Sequence, residues 1–417
     1  MSRDNVQLLL EKAKAAARKM PSVTAEQTSA ALKAIADKLE KNVDRIVAAN
    51  VIDLRSMDES DYRYDRLKLT AERIAGIAAD TRAVSELPSP VGELIDSRVR
   101  PNGLKIDRVR VPIGVVGVIY EARPNVTVDV TAIALRSGNA VILKGGKDAH
   151  ESNIILVELI KEAIGEAGLD PEAVQLLPDD HEAAEILMKA VGYVDLLIPR
   201  GSQRLIAAVN ENSKVPVIET GAGVVHTYFD EEGDLEKGKA IVCNAKTRRV
   251  SVCNALDCLI VHSSRLKDLP ELLRPTGEKG TEVRADERAY AALEGRYAGE
   301  LLRMEAEDYG KEFLALRLAV VTVDSFDEAL EYIYKYSLKH SEAIVTENKE
   351  KAERFLREVD AACCYVNAST AFTDGAQFGL GAEIGISTQK MHARGPMALR
   401  ELTSYKWLIR GEGQTRP

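Results

Sequence analysis

Short apolar runs alternate with amphipathic stretches across the middle of the chain. The runs predict buried strands at 115–120, 140–143, 174–177, 194–198 and 217–218. The stretches between them predict helices at about 126–136, 150–167, 182–191 and 202–210. Short apolar strands that alternate with helices indicate a parallel, doubly wound α/β sheet. A sheet of this kind binds its ligands beyond the carboxyl ends of its strands.

The parts of the chain that flank this region have different patterns. Residues 1 to about 90 predict helices, one of them opened by a capping box from Thr24 to Gln27. Asn102-Gly103 is typical of a two-residue hairpin turn. The apolar positions change parity between Ile106 and Val109, so a bulge is expected there. The hairpin is either a surface feature or an arm that reaches another subunit.

A second α/β stretch is predicted from Cys253 to about residue 367. Strands are expected at 317–323, 343–346 and 363–367, and helices near 326–336 and 348–358. Residues 265–310 are highly charged without a clear strand pattern, and we expect a helical excursion on the surface. The segment 405–410 has a strand pattern and holds the one tryptophan.

Cys253 is the candidate nucleophile. Three cations, Lys246, Arg248 and Arg249, precede it, and Asn254-Ala-Leu-Asp257 is a candidate first helical turn. Positive charge and a helix N-terminus both favour the reactive thiolate. Cys253 would then attack a carbonyl and carry the acyl group. The alternative is a buried, unreactive cysteine.

Two strand ends carry a cation beside glycine. Lys144-Gly145-Gly146 is followed by Lys147, and Pro199-Arg200-Gly201-Ser202 opens a helix. Glycine admits close backbone approach and a helix N-terminus favours anions, so both segments suit phosphate. A plain tight turn is equally compatible with each. Lys390 and Arg394 follow a glycine-rich run and are either solvated charges or part of an anion site.

Composition limits the function classes. The 417 residues exceed one ordinary core, so two or three domains are expected. The 56 basic and 65 acidic residues give a net charge of −9, which argues against a generic nucleic-acid binder. No apolar run reaches the roughly 18 residues of a membrane span. Five cysteines without a CxxC pair predict neither disulfides nor a metal site, and favour the cytoplasm.

Several motifs, in their order along the chain, resemble those of the gamma-glutamyl phosphate reductase family, within the aldehyde dehydrogenase superfamily. The resemblance covers nearly the whole chain. It is carried by these stretches: 112–125, 135–146, 198–201, 219–223 with His226, 244–247 ahead of 252–255, 365–370, 378–390 and 392–396.

The resemblance implies a set of site residues. Cys253 is the implied nucleophile, and the Asn125 amide the implied oxyanion donor. The implied cofactor is NADPH, with Lys144 at the adenosine ribose or its phosphate and Glu312 at the nicotinamide ribose. The implied cofactor segments also include Gly145, Gly146, Lys147, Pro199, Arg200, Gly201 and Ser202. The candidate substrate ligands are Arg123, Arg248, Asn367, Ser369, Thr370, Lys390 and Arg394.

The resemblance also implies an architecture. We expect two doubly wound α/β domains and a small β oligomerisation arm. The cofactor domain would span 1–97 and 113–240, with part of 365–395 returning to it. The catalytic domain would span 241–364, and the arm 98–112 and 396–417. A homodimer or homotetramer is expected, with a glutamate 5-kinase as a candidate partner and no nucleic-acid or membrane partner.

The implied reaction is NADPH-dependent reduction of L-glutamyl 5-phosphate to glutamate 5-semialdehyde, a step of proline biosynthesis. Two positions depart from the family pattern: Val250 stands where proline is expected, and Ser202 where glycine is expected. Glu219 aligns with the general base of hydrolytic relatives, but this reaction does not require it. The alternatives are an aldehyde-oxidising dehydrogenase, a cysteine acyltransferase that uses His226 or His262, and a non-catalytic scaffold.

Overall fold

The computed structural model describes residues 3–59, 61 and 63–416. The chain forms two compact units. The first comprises Met1–Thr220, Gly379–Gly385 and Met397–Pro417, and the second Gly221–Phe378 and Ile386–Pro396. The predicted boundary at residue 240 therefore lies about twenty residues too late. Of the predicted return segment 365–395, residues 379–385 belong to the first unit.

The first unit combines a helical N-terminal region with a parallel sheet and a small antiparallel sheet. Its helices are α1 (Arg3–Ala17), α2 (Ala25–Lys41), α3 (Val43–Leu54), α4 (Tyr64–Leu67), α5 (Ala71–Glu86), α6 (Pro124–Arg136), α7 (His150–Glu166), α8 (His181–Met188) and α9 (Gln203–Asn212). Its strands are β1 (Leu94–Val99), β2 (Lys105–Pro112), β3 (Val115–Tyr120), β4 (Ala140–Lys144), β5 (Val174–Leu176), β6 (Leu196–Arg200) and β16 (Thr403–Arg410).

The parallel sheet of the first unit has the order β5–β4–β3–β6. The chain runs outward from β3 through β4 to β5 and then crosses to β6 on the other side of β3. This reversal creates a switch point at the carboxyl ends of β3 and β6, where open α/β sheets bind ligands. The predicted strand at 217–218 is wrong, because Val217 makes only an isolated bridge to Leu197.

The start of α2 confirms the predicted capping box. The Gln27 backbone N–H donates to Thr24 Oγ1 at 3.2 Å, and the Thr24 N–H donates to Gln27 Oε1 at 2.9 Å. The buried face of α2 includes Leu32, Ile35 and Leu39. This face packs against α5 and α7, so the N-terminal helices cover one side of the parallel sheet region.

The predicted hairpin and tail form one antiparallel sheet in the order β1–β2–β16. Gly103 has φ of 86°, a left-handed conformation that glycine adopts without strain. β2 pairs with β16 in continuous register from Lys105–Arg410 to Pro112–Thr403. The register shifts at Ile95 on β1 instead of between Ile106 and Val109 on β2. β2 stays regular because it pairs with β16 along its whole length, so the extra residue lies in β1.

The second unit is built around a seven-stranded parallel sheet in the order β10–β9–β11–β8–β7–β12–β13. Its strands are β7 (Val225–Phe229), β8 (Leu256–His262), β9 (Glu282–Ala285), β10 (Leu301–Arg303), β11 (Arg317–Val323), β12 (Ser341–Val345) and β13 (Cys363–Val366). Its helices are α10 (Leu235–Thr247), α11 (Leu269–Gly277), α12 (Glu287–Leu293), α13 (Phe326–Tyr336) and α14 (Lys349–Glu358). Two short strands, β14 (Gly385–Ser387) and β15 (Gly395–Met397), pair with each other.

The seven-stranded sheet is covered on both faces. Leu259 of β8 belongs to an apolar cluster that includes residues of α10, α11 and α12, whereas the next residue, Ile260, belongs to a cluster with residues of α13 and α14. Successive side chains of a strand point to opposite faces. β7 lies in the middle of this sheet, between β8 and β12, which explains why the unit begins before residue 240.

The prediction of a strand-free helical excursion at 265–310 is wrong. The segment contains α11 and α12, but β9 and β10 extend the sheet at one edge. In β9 the buried Val283 and Ala285 alternate with Glu282 and Arg284, whose side chains form an ion pair at 2.7 Å. The charged positions therefore masked a short strand, next to the edge strand β10, whose apolar side faces the core.

Candidate active site

Cys253 lies in a turn between α10 and β8. The Ala255 N–H donates to the Val252 carbonyl at 3.1 Å, and the cysteine is half-buried. The predicted helical turn at 254–257 is wrong, because β8 already begins at Leu256. All of β8 is buried between β7 and β11, and sheet pairing there overrides a local helical preference. No helix begins at Cys253.

A second turn holds the cysteine turn in place. Thr370 Oγ1 donates to the Asn254 carbonyl at 2.9 Å, and Asn254 Nδ2 donates to the Thr373 carbonyl at 3.0 Å. Thr370 is fully buried and Asn254 nearly so. Buried polar groups that are hydrogen-bonded rigidify the segments they join. Thr370, a predicted substrate ligand, therefore has a structural contact beside the nucleophile.

Two other predicted substrate ligands also contact backbone. Asn367 Nδ2 donates to the Thr346 carbonyl at 2.8 Å, and Asn367 Oδ1 accepts from the Thr346 N–H at 3.0 Å. Ser369 Oγ accepts from the Ala371 N–H at 3.2 Å and is 5% exposed. Both side chains shape the chain where it leaves β13.

Gly223 gives the backbone of Cys253 its position. A Cβ atom at Gly223 would overlap the Cys253 carbonyl oxygen, so these two stretches of backbone pack directly on each other. The Gly223 N–H donates to Glu312 Oε1 at 3.1 Å. The structure thus brings Glu312, predicted as a cofactor ligand, into the segment that supports the cysteine.

The cations before Cys253 have different surroundings from those predicted. Lys246 is fully buried, and its Nζ donates to the Leu256 carbonyl at 2.8 Å and lies 4.0 Å from Asp257 Oδ1. Burial lowers the pKa of Lys246 and raises that of Asp257. Arg248 and Arg249 are exposed. Lys246 therefore hydrogen-bonds the first residue of β8. The sequence around Cys253 did not predict this contact.

Lys390 and Arg394 share one carboxylate. Lys390 Nζ lies 3.0 Å and Arg394 Nη2 2.8 Å from Asp360, which also pairs with Lys339 at 3.1 Å. The hydrogen bonds from Lys390 and Arg394 hold the pKa of Asp360 well below its usual range. Three cations around one carboxylate leave an excess of two positive charges. This excess charge favours the predicted anion site, which stays a prediction.

In the first unit, Lys144 lies at the carboxyl end of β4. Its Nζ donates to the Asp179 carbonyl at 3.0 Å, and burial lowers its pKa. A Cβ at Gly145 would overlap the Asn153 amide, and Gly146 is half-buried. Lys147 is exposed in the short 3₁₀ turn Lys147–Ala149. The strand end therefore presents one buried and one exposed lysine, and phosphate binding there stays a prediction.

The segment from Pro199 to Ser202 comprises the last two residues of β6 and the two that connect it to α9. Ser202 caps α9, since its Oγ accepts from the Leu205 N–H at 3.3 Å. The Ser202 N–H, however, donates to Glu121 Oε2 at 2.9 Å, and a Cβ at Gly201 would crowd the same carboxylate. Glu121 was not predicted as a site residue. It follows β3 directly, and only the β3–β6 adjacency reveals that it lies at the helix N-terminus.

Arg200 and Thr220 line the same end of β6. A Cβ at Gly385 would overlap both the Arg200 guanidinium and the Thr220 methyl group. Thr220 Oγ1 donates to the Pro199 carbonyl at 2.8 Å. The guanidinium of Arg200 therefore packs against the backbone at position 385, where only glycine leaves room for it.

Asn125 is the second residue of α6, and Arg123 occupies the N-cap position of that helix. Both are half-buried. Asn125 Nδ2 donates to Asp129 Oδ2 at 2.9 Å. Asn125 belongs to the first unit and Cys253 to the second.

The two histidines considered as bases lie at β7 and β8. His226 is fully buried, with Nδ1 3.0 Å from Glu342 Oε2. His262 Nδ1 lies 2.8 Å from Ser264 Oγ. Glu219 is hydrogen-bonded by Asn210. The residues that the structure describes contain no group of three or more metal-binding side chains, and none of their helices could cross a membrane.

Substitution of Gly223 tests the packing that supports Cys253. Gly223→Ala is expected to cost about 1–3 kcal/mol, because the new methyl group forces two backbone segments apart. The melting temperature should fall by several degrees, and the alkylation rate of Cys253 by iodoacetamide should change.

Gly76→Ala is the matched control. Gly76 lies within α5, and a Cβ there meets no atom within 4 Å. Alanine at this site is expected to leave the thiol unaffected and to raise the melting temperature slightly. Equal behaviour of the two variants would contradict the assigned role of Gly223.

Comparison with known proteins gives one consistent answer. The sequence model of the aldehyde dehydrogenase family matches residues 1–284. The gamma-glutamyl phosphate reductase of Pelodictyon phaeoclathratiforme is 57% identical over 403 residues, covering 96% of each chain. That of Bacteroides thetaiotaomicron is 56% identical, covering 96% of this chain and 97% of its own. The crystal structure of the Thermotoga maritima gamma-glutamyl phosphate reductase matches 99% of this chain and 100% of its own, with a TM-score of 0.95 and 43% identity. The predicted α/β fold is thereby confirmed, and the chain belongs to the aldehyde dehydrogenase family and, within it, to the gamma-glutamyl phosphate reductases.

Proposed function

We propose that this chain reduces L-glutamyl 5-phosphate to L-glutamate 5-semialdehyde with NADPH, releasing phosphate, as a step of proline biosynthesis. The observation that carries the proposal is the 57% identity to a gamma-glutamyl phosphate reductase over 96% of both chains. The structure supports the proposal with a half-buried cysteine, Cys253, in a hydrogen-bonded turn just before β8.

Cys253 performs the covalent chemistry in this proposal. Its thiolate attacks the acyl carbon, the bond to the phosphate oxygen breaks, and a thioester forms as phosphate leaves. Asn125 donates its amide N–H to the oxygen that becomes negative, an interaction worth about 3 kcal/mol. After reduction, collapse of the hemithioacetal releases the aldehyde and restores the thiolate. No water is activated, so Glu219 has no required part.

Membership of the aldehyde dehydrogenase family implies a nicotinamide cofactor, which supplies the hydride when it is bound. The residues at the carboxyl ends of β4 and β6 in the first unit fit such a cofactor. Lys144 ends β4 and is followed by Gly145, Gly146 and Lys147, while Pro199 and Arg200 end β6 and are followed by Gly201 and Ser202. Glu121 is the exception, because its carboxylate opposes an anion at the start of α9.

The cationic side chains Arg123, Arg248, Lys390 and Arg394 are the proposed partners of the substrate carboxylate and phosphate. The excess positive charge around Asp360 supports this for Lys390 and Arg394. Asn367, Ser369 and Thr370 contribute through the backbone that they hold in place.

The main rival functions make different demands. An aldehyde-oxidising dehydrogenase needs an activated water and no phosphate. A cysteine acyltransferase needs a histidine base beside the thiol, yet His226 is buried against Glu342 and His262 contacts Ser264. The contacts of both histidines therefore favour the reductase. A binding measurement with NADPH distinguishes the two functions, because the reductase should bind NADPH and the acyltransferase should not.

The deciding experiment measures the reverse reaction. Glutamate semialdehyde and NADP should yield NADPH only when inorganic phosphate is present, because phosphate is the group that cleaves the thioester. Arsenate should replace phosphate. NADPH formation at the same rate without either anion would refute the proposal and favour aldehyde oxidation.

Cys253→Ala should abolish this activity and leave NADPH binding near normal. Cys258→Ala is the matched control, since Cys258 is buried in β8 and burial raises the pKa of its thiol. Turnover in Cys253→Ala comparable to the wild type would exclude Cys253 as the acyl carrier.

We predict that the enzyme prefers NADPH over NADH. Lys144, Lys147 and Arg200 are cations near the carboxyl ends of β4 and β6, and no acidic residue follows Leu143 directly. Lys147→Ala should raise KM for NADPH at least several-fold and change KM for NADH little. Equal kcat/KM for the two cofactors in the wild type would contradict this prediction.

We also predict at least a dimer. The outer strand β16 exposes Tyr405, Trp407 and Ile409, which are 52%, 45% and 62% accessible. An apolar edge strand is a liability unless it is covered, and a twofold dimer is the commonest way to cover it. Deletion of residues 405–417 should give monomers or aggregates with little activity. Sedimentation of the intact chain as an active monomer at micromolar concentration would contradict the prediction.

The kinase partner and the cytoplasmic location stay predictions.

A further inference from the structure

Asn125 has one polar partner in the part of the chain that the structure describes. Its amide nitrogen donates to Asp129 Oδ2 at 2.9 Å, across one turn of α6. A primary amide nitrogen carries two N–H groups. One is used by Asp129, and the other has no partner among the described residues.

An asparagine side chain can present either its oxygen or its nitrogen to a neighbour. An ionised carboxylate accepts hydrogen bonds and donates none, so it selects the nitrogen. A protonated carboxyl group can donate to the amide oxygen and removes this selection. The charge on Asp129 thus decides which end of the Asn125 amide faces it.

We propose that Asp129 is a positioning residue that holds the Asn125 amide with its nitrogen as donor and leaves the second N–H for the developing oxyanion. This rests on the proposed function, in which Asn125 stabilises negative charge on the acyl oxygen. A misoriented amide would present its oxygen to that charge and oppose it. The geometry of the amide therefore bears on kcat more than on substrate binding.

The environment of Asp129 makes its charge sensitive to pH. Burial raises the pKa of Asp129 to about 6, and the hydrogen bond from Asn125 opposes this rise. Two charged groups on neighbouring elements also act on it. Asp80 of α5 raises the pKa, and Arg200 at the end of β6 lowers it. The ionised form, which orients the amide, is present above this pKa and is lost as the pH falls through it.

A double-mutant cycle tests the proposal in the full-length enzyme with the phosphate-dependent assay. Asp129→Ala is expected to lower kcat about 10- to 100-fold, with KM for the aldehyde and for NADP within twofold. The same change in an Asn125→Ala background should lower kcat by less than twofold, because the amide it positions is gone. Equal losses in both backgrounds would overturn the proposal.

The pH profile supplies a readout that a purely structural role would not move. In the wild type, kcat should fall below about pH 6 as Asp129 is protonated. Asp129→Asn keeps an acceptor oxygen but cannot titrate, so its kcat should lack this limb. Asp80→Asn, the matched control, should keep kcat within twofold and move the limb to lower pH, because it removes a charge that raises the pKa of Asp129. An unchanged low-pH limb in Asp129→Asn would contradict the proposal.

A measurement without turnover keeps the contact testable if the wild type lacks the proposed activity. The side-chain ¹⁵N–¹H signals of Asn125, assigned by their loss in Asn125→Ala, should shift with a midpoint near pH 6 in the wild type. They should not shift in Asp129→Asn. Signals that ignore pH in both proteins would overturn the proposal, whereas absence of phosphate-dependent NADP reduction would refute the proposed function alone. Melting curves of all variants verify that they are folded.

Discussion

The close approach of Gly223 to the Cys253 carbonyl is the constraint on which the candidate nucleophile depends. Two backbone segments touch where any side chain would force them apart. Around this contact, Glu312 accepts from the Gly223 N–H, and Thr370 and Asn254 join the cysteine turn to the turn after β13. A thiol that must meet an acyl carbon at bonding distance needs such support, because small displacements of catalytic groups are costly. In the proposed reaction the glycine therefore fixes the position of the nucleophile although it bears no functional group.

Carboxylates contact several of the polar groups that are proposed for the site. Asp129 holds the Asn125 amide, Asp360 collects Lys339, Lys390 and Arg394, and Glu121 occupies the Ser202 N–H. Each contact restricts a flexible or charged group before any ligand arrives. Preorganisation of this kind lowers the entropy that binding must otherwise overcome. At the start of α9, a phosphate would have to compete with the Glu121 carboxylate for the Ser202 N–H.

Much of the fold was predictable because its signals are local. The capping box at Thr24, the hairpin at Asn102-Gly103 and the buried runs of β3, β4 and β11 each follow from residues that are neighbours in sequence. The errors occurred where tertiary contacts prevail. β9 is a short strand whose charged residues face away from the core, and residues 254–257 enter a buried sheet although they resemble a helical start. Propensity is a weak guide where packing from distant elements decides the backbone.

The sequence by itself predicted the α/β class and the family, both of which are confirmed, and it singled out Cys253, Asn125 and the cations as candidates, because these inferences depend on residue types in a fixed order. Only the tertiary structure decided what each polar group contacts. Lys246, seven residues before Cys253, has its ammonium group at the start of β8. Glu121 contacts the start of α9, which lies 81 residues further along the chain. The physical reason is that a parallel sheet gathers the ends of strands that are far apart in sequence, and burial then requires each charge and hydrogen-bonding group to find a partner there.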